Sequence, residues 1–172
     1  TDLTIRHNNL IAATQGRAFW VLDDLFAIRQ AGADIGKKPL HVYSPGTAYM
    51  LGRRPSAGEF EGENPAAGAQ IYYYIGTESN GPLAIDIRDA KGRVVRHFSS
   101  EESDHDRCRI GNMDPRSPFE IDYPTTEKGL NKWAWNLNRD SILCIEDIAY
   151  YPGFAGAKVL PGQYSATVTV GD

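Results

Sequence analysis

Strict two-residue alternation of apolar and polar side chains is the feature that most constrains the fold of this chain. In "LAIDIRDA", Leu83, Ile85 and Ile87 fall on one face of an extended strand. The overlapping segment "DAKGR" is typical of a tight turn, because Gly92 can adopt the positive φ that closes a hairpin into "VVRHF". The sequence therefore predicts two paired antiparallel strands with one buried face.

The same alternation recurs in "AQIYYYIG", "LNKWAWNL" and "QYSATVTV", where every second residue is apolar or aromatic. The 17 Gly and 10 Pro residues supply the turns that many short strands need. Strands at this spacing, with no helical pattern between them, predict an all-β chain built as a β-sandwich. The side chains expected to face its core are Ile71, Tyr73, Ile75, Trp133, Trp135, Leu137, Tyr164, Ala166, Val168 and Val170.

Three short strands are expected in residues 1–22: "LTIR", "NLIAAT" and "RAFWVL". Gln15-Gly16 has the length and composition of a two-residue hairpin link between the last two of them. Alternation sends Trp20 to one face of the third strand and Phe19 to the other. Since both faces are apolar, we expect this strand to lie between two layers, with Phe19 and Trp20 in interdomain packing.

One short helix is expected after these strands, because the hydrophobic period changes. Asp23 or Asp24 is placed to cap the helix, and Gly32 is placed to end it. The residues expected on its apolar side are Leu25, Phe26 and Ile28.

The remaining segments divide into two further strands and three irregular stretches. "LHVY" and "TAYML" are predicted to be strands. The stretches 52–68, 99–114 and 138–158 show no periodicity, so they are expected to be irregular loops.

Composition and charge exclude several classes of function. The formal net charge is -4, and no Lys and Arg cluster of the kind that binds nucleic-acid phosphates is present. No apolar run approaches the roughly 20 residues that a transmembrane helix needs. The Gly-rich segment "GRRPSAGEFEGEN" lacks the residue order of a phosphate-binding loop. We therefore expect no nucleic-acid partner, no membrane span and no cofactor.

The chain has two cysteines, Cys108 and Cys144. A disulfide between them would close about 36 residues, stabilise the fold by roughly 3–4 kcal/mol and imply an oxidising compartment. Two unpaired thiols are the alternative that the sequence leaves open.

The acidic segment "EESDHDRC" raises the hypothesis of a metal site. Carboxylates at alternating positions are calcium ligands, and a His with a Cys supplies half of a zinc site. Neither pattern is completed, because no D-x-D-x-D-G loop and no second Cys/His pair occurs. The favoured interpretation is a solvated loop without metal at Glu101, Glu102, Asp104, His105, Asp106 and Cys108.

Tyr72 and Tyr74 are the aromatic residues expected on the outer face of their strand. A pyranose ring packs on an aromatic face, so both are candidates for carbohydrate binding, with ordinary cross-strand packing as the alternative. No catalytic residue is predicted. The four histidines lie in separate segments without a nucleophile motif, and the neighbouring Asp23 and Asp24 should point apart rather than flank a sugar.

Five segments, taken in order, resemble a known family. They are "GRAFWVLDD", "GENPAAGAQIYYYI", "LAIDIRDAKGRVVRHFSS", "GLNKWAWNL" and "LPGQYSATVTVGD". Together they resemble, over nearly the whole chain, the C-terminal region of bacterial BNR-repeat or sortilin-like glycosyl hydrolases. The resemblance implies a remnant of the last propeller blade with a helix and linker in residues 1–35. It implies an immunoglobulin or fibronectin type III-like β-sandwich in residues 36–172.

The resemblance also implies a longer exported parent protein. No S-x-D-x-G-x-T-W box, the mark of a propeller blade in such proteins, occurs in the sequence, so we expect the propeller to lie outside this segment. The first functional hypothesis is a secreted or periplasmic, non-catalytic sandwich module that packs on the propeller domain of its parent chain and presents a surface to another protein.

Two alternatives remain at this point. The segment could form part of a glycoside hydrolase acting on a carbohydrate, as the family name implies, or a carbohydrate-binding module that uses Tyr72 and Tyr74. Because one fold hosts many activities, the family name is only a fold-level argument, and the sequence leaves open whether the protein is an enzyme.

Overall fold

The computed structural model describes residues 2–50, 66–76, 81–111, 121–145 and 155–171. Within these ranges the chain is mostly β, which confirms the predicted class. The strands are β1 Asp2–Arg6, β2 Asn9–Ala13, β3 Phe19–Leu22, β4 Leu40–Val42, β5 Ala69–Ile75, β6 Leu83–Asp89, β7 Val94–Ser99, β8 Gly129–Trp135 and β9 Tyr164–Val170. The helices are α1 Phe26–Gln30, a 3₁₀ turn Ile35–Lys37 and α2 Asp104–Gly111.

The described strands form three antiparallel sheets of three strands each. We call them the N-terminal sheet, with strand order β1-β2-β3, the β5 sheet, with order β4-β5-β8, and the β6 sheet, with order β7-β6-β9. Each sheet keeps its strands in a continuous register along its central strand, interrupted only between Ile87 and Arg88, where β6 and β7 shift.

The β5 and β6 sheets share one apolar core. The alternation read from the sequence is confirmed, because the predicted inward residues of β5 and β6 are at most 1% exposed. Tyr73 is fully buried, and its hydroxyl donates a hydrogen bond to the Thr125 carbonyl over 2.7 Å. The buried members of the core are Ile71, Tyr73, Ile75, Leu83, Ile85, Ile87, Val95, Trp135, Val159 and Val168.

The β6–β7 hairpin forms as predicted, with Gly92 at φ 77°. One Asp89 carboxylate oxygen accepts the backbone N–H groups of Lys91 and Arg93, and the other accepts the Arg93 guanidinium. These hydrogen bonds, above all that from the Arg93 side chain, lower the pKa of Asp89. The turn is therefore specified by its own side chains as well as by its glycine.

The N-terminal sheet contains the three predicted strands, but its tight turn lies elsewhere. The two-residue turn is His7-Asn8, between β1 and β2, where both residues have positive φ, 47° and 68°. The prediction of a two-residue hairpin at Gln15-Gly16 is wrong, because five residues separate β2 from β3 there. The Thr14 N–H closes that longer loop on the Ala18 carbonyl at 3.2 Å.

The prediction of a single helix is wrong, because α2 lies within the stretch 99–114 that was expected to be irregular. A capping box starts this helix: the Ser103 hydroxyl accepts the Asp106 N–H at 3.1 Å, and the Asp106 carboxylate accepts the Ser103 N–H at 3.2 Å. The S-x-x-D spacing was visible in the sequence. The helix was missed because its sequence is polar, and a polar helix has no apolar stripe to give a hydrophobic period.

The strand predicted for "TAYML" is also wrong over residues 47–50, which are irregular. The Gln30 side chain binds the chain just before them, donating to the Ser44 carbonyl and accepting the Ser44 N–H, both over 2.9 Å. Gly46 then lies so close to the Phe26 ring that a β-carbon would overlap it. The chain here follows the surface of α1 instead of joining a sheet.

The shared core predicts a large difference between two leucine-to-alanine substitutions in strands. Leu83 is fully buried in β6, whereas Leu130 in β8 is 53% exposed. We expect Leu83→Ala to lower the free energy of unfolding by about 2–5 kcal/mol through lost burial and a residual cavity. The matched variant Leu130→Ala should change it by less than about 1 kcal/mol. Urea denaturation followed by circular dichroism measures both, and equal losses would contradict a core between the two sheets.

Candidate interaction surface

One face of the N-terminal sheet is entirely apolar. In its register Leu3 pairs with Ala12 and Ile5 pairs with Leu10, while β2 and β3 bring Leu22 and Trp20 into the same rows. Directly paired residues of an antiparallel sheet point to the same side. We call this side the apolar face; its residues are Leu3, Ile5, Leu10, Ala12, Trp20 and Leu22.

The apolar face is exposed. Trp20 is 66% exposed, Leu3 64%, Ile5 56% and Leu22 50%. The opposite face is mixed, with Phe19 75% exposed and Val21, Ile11, Ala13 and Thr4 beside it. The expectation that both faces of β3 are apolar is confirmed, but within the described chain neither face is covered. The interdomain packing of Phe19 and Trp20 therefore stays a prediction.

Burial of this exposed apolar face by a partner would contribute substantially to the free energy of binding. Soluble monomers rarely expose contiguous apolar patches above a few hundred Å² unless the patch binds something. Fully burying one leucine-sized side chain contributes roughly 1.5–3 kcal/mol. Four half-exposed side chains on one face could thus supply on the order of 5 kcal/mol to a partner that covers them.

A polar joint fixes the N-terminal sheet to the rest of the molecule. Asp24 occupies the left-handed region, at φ 61°, and its N–H donates to the Asn9 side chain over 3.0 Å. Its carboxylate accepts the Asn8 side-chain amide at 3.3 Å and the Phe26 N–H, at the start of α1, at 3.2 Å. The Asp24 charge also acts on the Tyr72 hydroxyl of β5 and helps to raise its pKa. One residue therefore ties the β1–β2 turn to the start of α1 and lies near the β5 sheet.

The expectation that Tyr72 and Tyr74 are exposed is wrong. Tyr72 is only 8% exposed, and it packs with Ala27 of α1 and Tyr43 in a second buried cluster; Tyr74 is partly buried against that cluster. Helix α1 covers this outer face of β5, so the Tyr72 ring is not open to a sugar. The Tyr72 ring packs inside the protein, against Ala27 and Tyr43, instead of against a sugar.

The acidic segment does not assemble a metal site among the described residues, where no group of three His, Cys, Asp or Glu side chains is close enough to hold an ion. Its side chains contact other parts of the protein. Asp106 belongs to the capping box of α2, Asp104 pairs with Arg107, and the His105 ring nitrogen Nε2 lies 2.9 Å from the Ile142 carbonyl oxygen.

Cys108 and Cys144 form a disulfide, with their α-carbons 6.1 Å apart. Cys108 lies in α2, not in the loop that was expected, and Cys144 lies in the segment that follows β8. The bond fastens α2 to that segment. A stable disulfide is consistent with an oxidising environment.

A polar cleft of ≈ 750 Å³ lies between β7, α2 and the segment after β8. At its edge the His97 ring nitrogen Nδ1 lies 2.7 Å from an Asp86 carboxylate oxygen, and Asp86 also pairs with Arg88 at 2.8 Å. A carboxylate can orient a histidine base in this way. However, no serine, threonine or cysteine side chain of the described residues hydrogen-bonds to the His97 ring. The arrangement therefore lacks a hydrogen-bonded nucleophile, and it is a surface contact among Asp86, Arg88 and His97.

The burial of Tyr72 against Asp24 generates a pH prediction. Burial, and then the nearby Asp24 charge, raise the pKa of Tyr72 from 10.0 to about 12. Because the folded pKa is the higher one, the stabilisation is complete below the unfolded pKa and is lost as the pH rises from about 10 to about 12. An ultraviolet titration of phenolate absorbance should lose its latest-titrating component in Tyr72→Phe.

Tyr49→Phe is the matched control, since Tyr49 is 73% exposed. If Tyr72→Phe instead removes a component that titrates near pH 10, Tyr72 is not buried as described.

Two further observations concern the class of the protein. Among the described residues, no helix has the length and apolar character that crossing a membrane requires. Comparisons with models of protein families, with curated proteins and with solved structures found no match to this chain. The glycosyl hydrolase resemblance therefore stays a prediction.

Proposed function

We propose that this chain is a non-catalytic β-sandwich module, of immunoglobulin or fibronectin type III kind, at the C-terminal end of an exported propeller protein. Its role is structural: it docks onto the propeller domain of its parent chain through the N-terminal sheet. The observation that carries the proposal is the exposure of that sheet's apolar face, with Trp20 66% and Leu3 64% exposed. The disulfide supports a secreted or periplasmic location.

The architecture of the N-terminal sheet supports a propeller as the partner. Propeller blades are small antiparallel sheets in which consecutive strands are neighbours, and both faces of a blade pack on adjacent blades. The N-terminal sheet has consecutive strands as neighbours, and it carries exposed apolar side chains on both faces. A sheet of this pattern fits the interior of a stack of sheets better than the outside of a domain.

The size of the sheet supports a partner in the same polypeptide. Three strands of about five residues cover roughly 14 by 17 Å, or roughly 240 Å² of footprint. A stable interface between separate proteins buries about 800 Å² of accessible surface on each side, so this face alone is small for one. A partner tethered in the same chain has a high effective concentration and needs less area, so a separated propeller domain should bind this face only weakly.

The sandwich assignment rests on the β5 and β6 sheets. Two three-stranded antiparallel sheets share one core, and the inward residues of each central strand fall at every second position. This is the arrangement from which immunoglobulin-like sandwiches are built, and it leaves α1 and α2 as additions on the outside.

Binding to the parent's propeller tests the proposal. We expect a separately expressed propeller domain, encoded upstream of Thr1, to bind this chain, and Trp20→Ser to weaken binding at least about tenfold because it removes an aromatic anchor. Leu143→Ser is the matched control, since Leu143 is 81% exposed but lies outside the N-terminal sheet. Isothermal titration calorimetry measures binding of the propeller domain to the wild-type chain and to each of the two variants. Equal effects of the two substitutions would overturn the docking surface.

The enzymatic alternative makes the opposite prediction. A glycoside hydrolase would turn over chromogenic glycosides, and its activity would disappear on substitution of a pair of carboxylates held about 5–10 Å apart. A carbohydrate-binding module would be retained on a glycan array. We expect neither from the purified chain, and turnover that survives repurification would overturn the proposed function.

A further inference from the structure

Strand β7 is an edge of the β6 sheet, since its one strand neighbour within the described chain is β6. An uncovered edge strand presents backbone N–H and C=O groups in a row, and other strands can pair with it. Proteins therefore cover or interrupt such edges. In this protein the cover comes from the segment that follows β8.

Asp140 covers the outer side of β7 by imitating a neighbouring strand. Its N–H donates to the Val95 carbonyl over 3.0 Å, and its carboxylate oxygen Oδ1 accepts the His97 N–H at 2.9 Å. Next to it the Arg96 guanidinium donates to the Arg139 carbonyl over 3.1 Å. Two consecutive outward-pointing backbone groups of β7 are thus satisfied by one residue, which blocks the centre of the edge.

The segment that carries Asp140 is anchored on both sides. On the N-terminal side, the Arg139 N–H donates to the Ala157 carbonyl over 2.9 Å. On the C-terminal side, four residues after Asp140, Cys144 is bonded to Cys108 of α2, and the His105 ring contacts the Ile142 carbonyl over 2.9 Å. The N-terminal anchor includes a β-bridge between Asn138 and Lys158, in which the Val159 N–H also donates to the Leu137 carbonyl over 2.9 Å. The disulfide is the covalent anchor, and each of these hydrogen bonds contributes about 1 kcal/mol.

We propose that the Cys108–Cys144 disulfide is a redox-sensitive lock on the edge of β7. While the bond is intact, Asp140 occupies the edge. Reduction by a dithiol transfers two electrons and two protons to the bond, leaves thiols on Cys108 and Cys144, and converts the reductant to its cyclic disulfide. The segment from Asp140 to Cys144 then loses its covalent anchor, and the edge of β7 opens.

Amide hydrogen exchange followed by NMR tests the lock in the wild-type chain. We expect the His97 amide to exchange at least about tenfold faster with dithiothreitol than without it, because its acceptor is released. The Ile85 amide, in the central strand of the same sheet, is the internal control and should not change. Equal His97 exchange in the two redox states overturns the proposal.

Variants separate the lock from a general loss of stability. Cys108→Ser with Cys144→Ser should reproduce the reduced exchange rate without reductant. If that variant fails to fold, Asp140→Ala in the oxidised chain removes the acceptor directly and should accelerate His97 exchange by a similar factor. Asp140→Asn is the matched control, since an amide oxygen can still accept the His97 N–H. Acceleration by both Asp140 variants alike, or by neither, contradicts the role of the carboxylate oxygen.

Because these readouts concern β7 and not the N-terminal sheet, they do not depend on whether the module docks on a propeller.

Discussion

Mutual burial of two apolar sheet faces is the interaction on which the rest of this structure depends. Each of the two sheets has three strands, and neither would be stable with its inner face in water. Because inward side chains repeat at every second residue, packing Ile71 and Tyr73 inward also decides what faces outward. Tyr72 then faces outward, where α1 covers it, and Asp86 and His97 face outward from the β6 sheet, where they contact each other.

The outer surfaces of the sheets are covered to different degrees. Helix α1 covers β5, and Asp140 covers the edge of β7. The N-terminal sheet is held in place by the Asp24 hydrogen bonds, yet its apolar face stays open. A joint built from hydrogen bonds of Asp24 to three neighbours, Asn8, Asn9 and Phe26, positions a sheet that nothing in the described chain covers, as expected of a surface held ready for a partner.

Much of the fold was predictable, and the errors have physical causes. The strands with clean alternation were found, and so was the Gly92 hairpin, because both signals are local. Helix α2 was missed because it is polar, although Ser103 and Asp106 carry its capping signal. The candidate sugar platform failed because alternation tells which side of β5 Tyr72 faces, but not that α1 would cover that side. Nothing in the sequence marks Asp140 as an edge cover.

The sequence by itself determined where the main strands lie, which of their faces is apolar and where the β6–β7 turn closes, because periodicity and the conformational freedom of glycine act over a few residues. Only the tertiary structure decided that Cys108 is bonded to Cys144, that Asp24 lies near Tyr72 and that Trp20 stays exposed. These outcomes depend on contacts between residues far apart in the chain, or on the lack of such contacts. A local pattern contains no information about which distant surface will arrive to cover it.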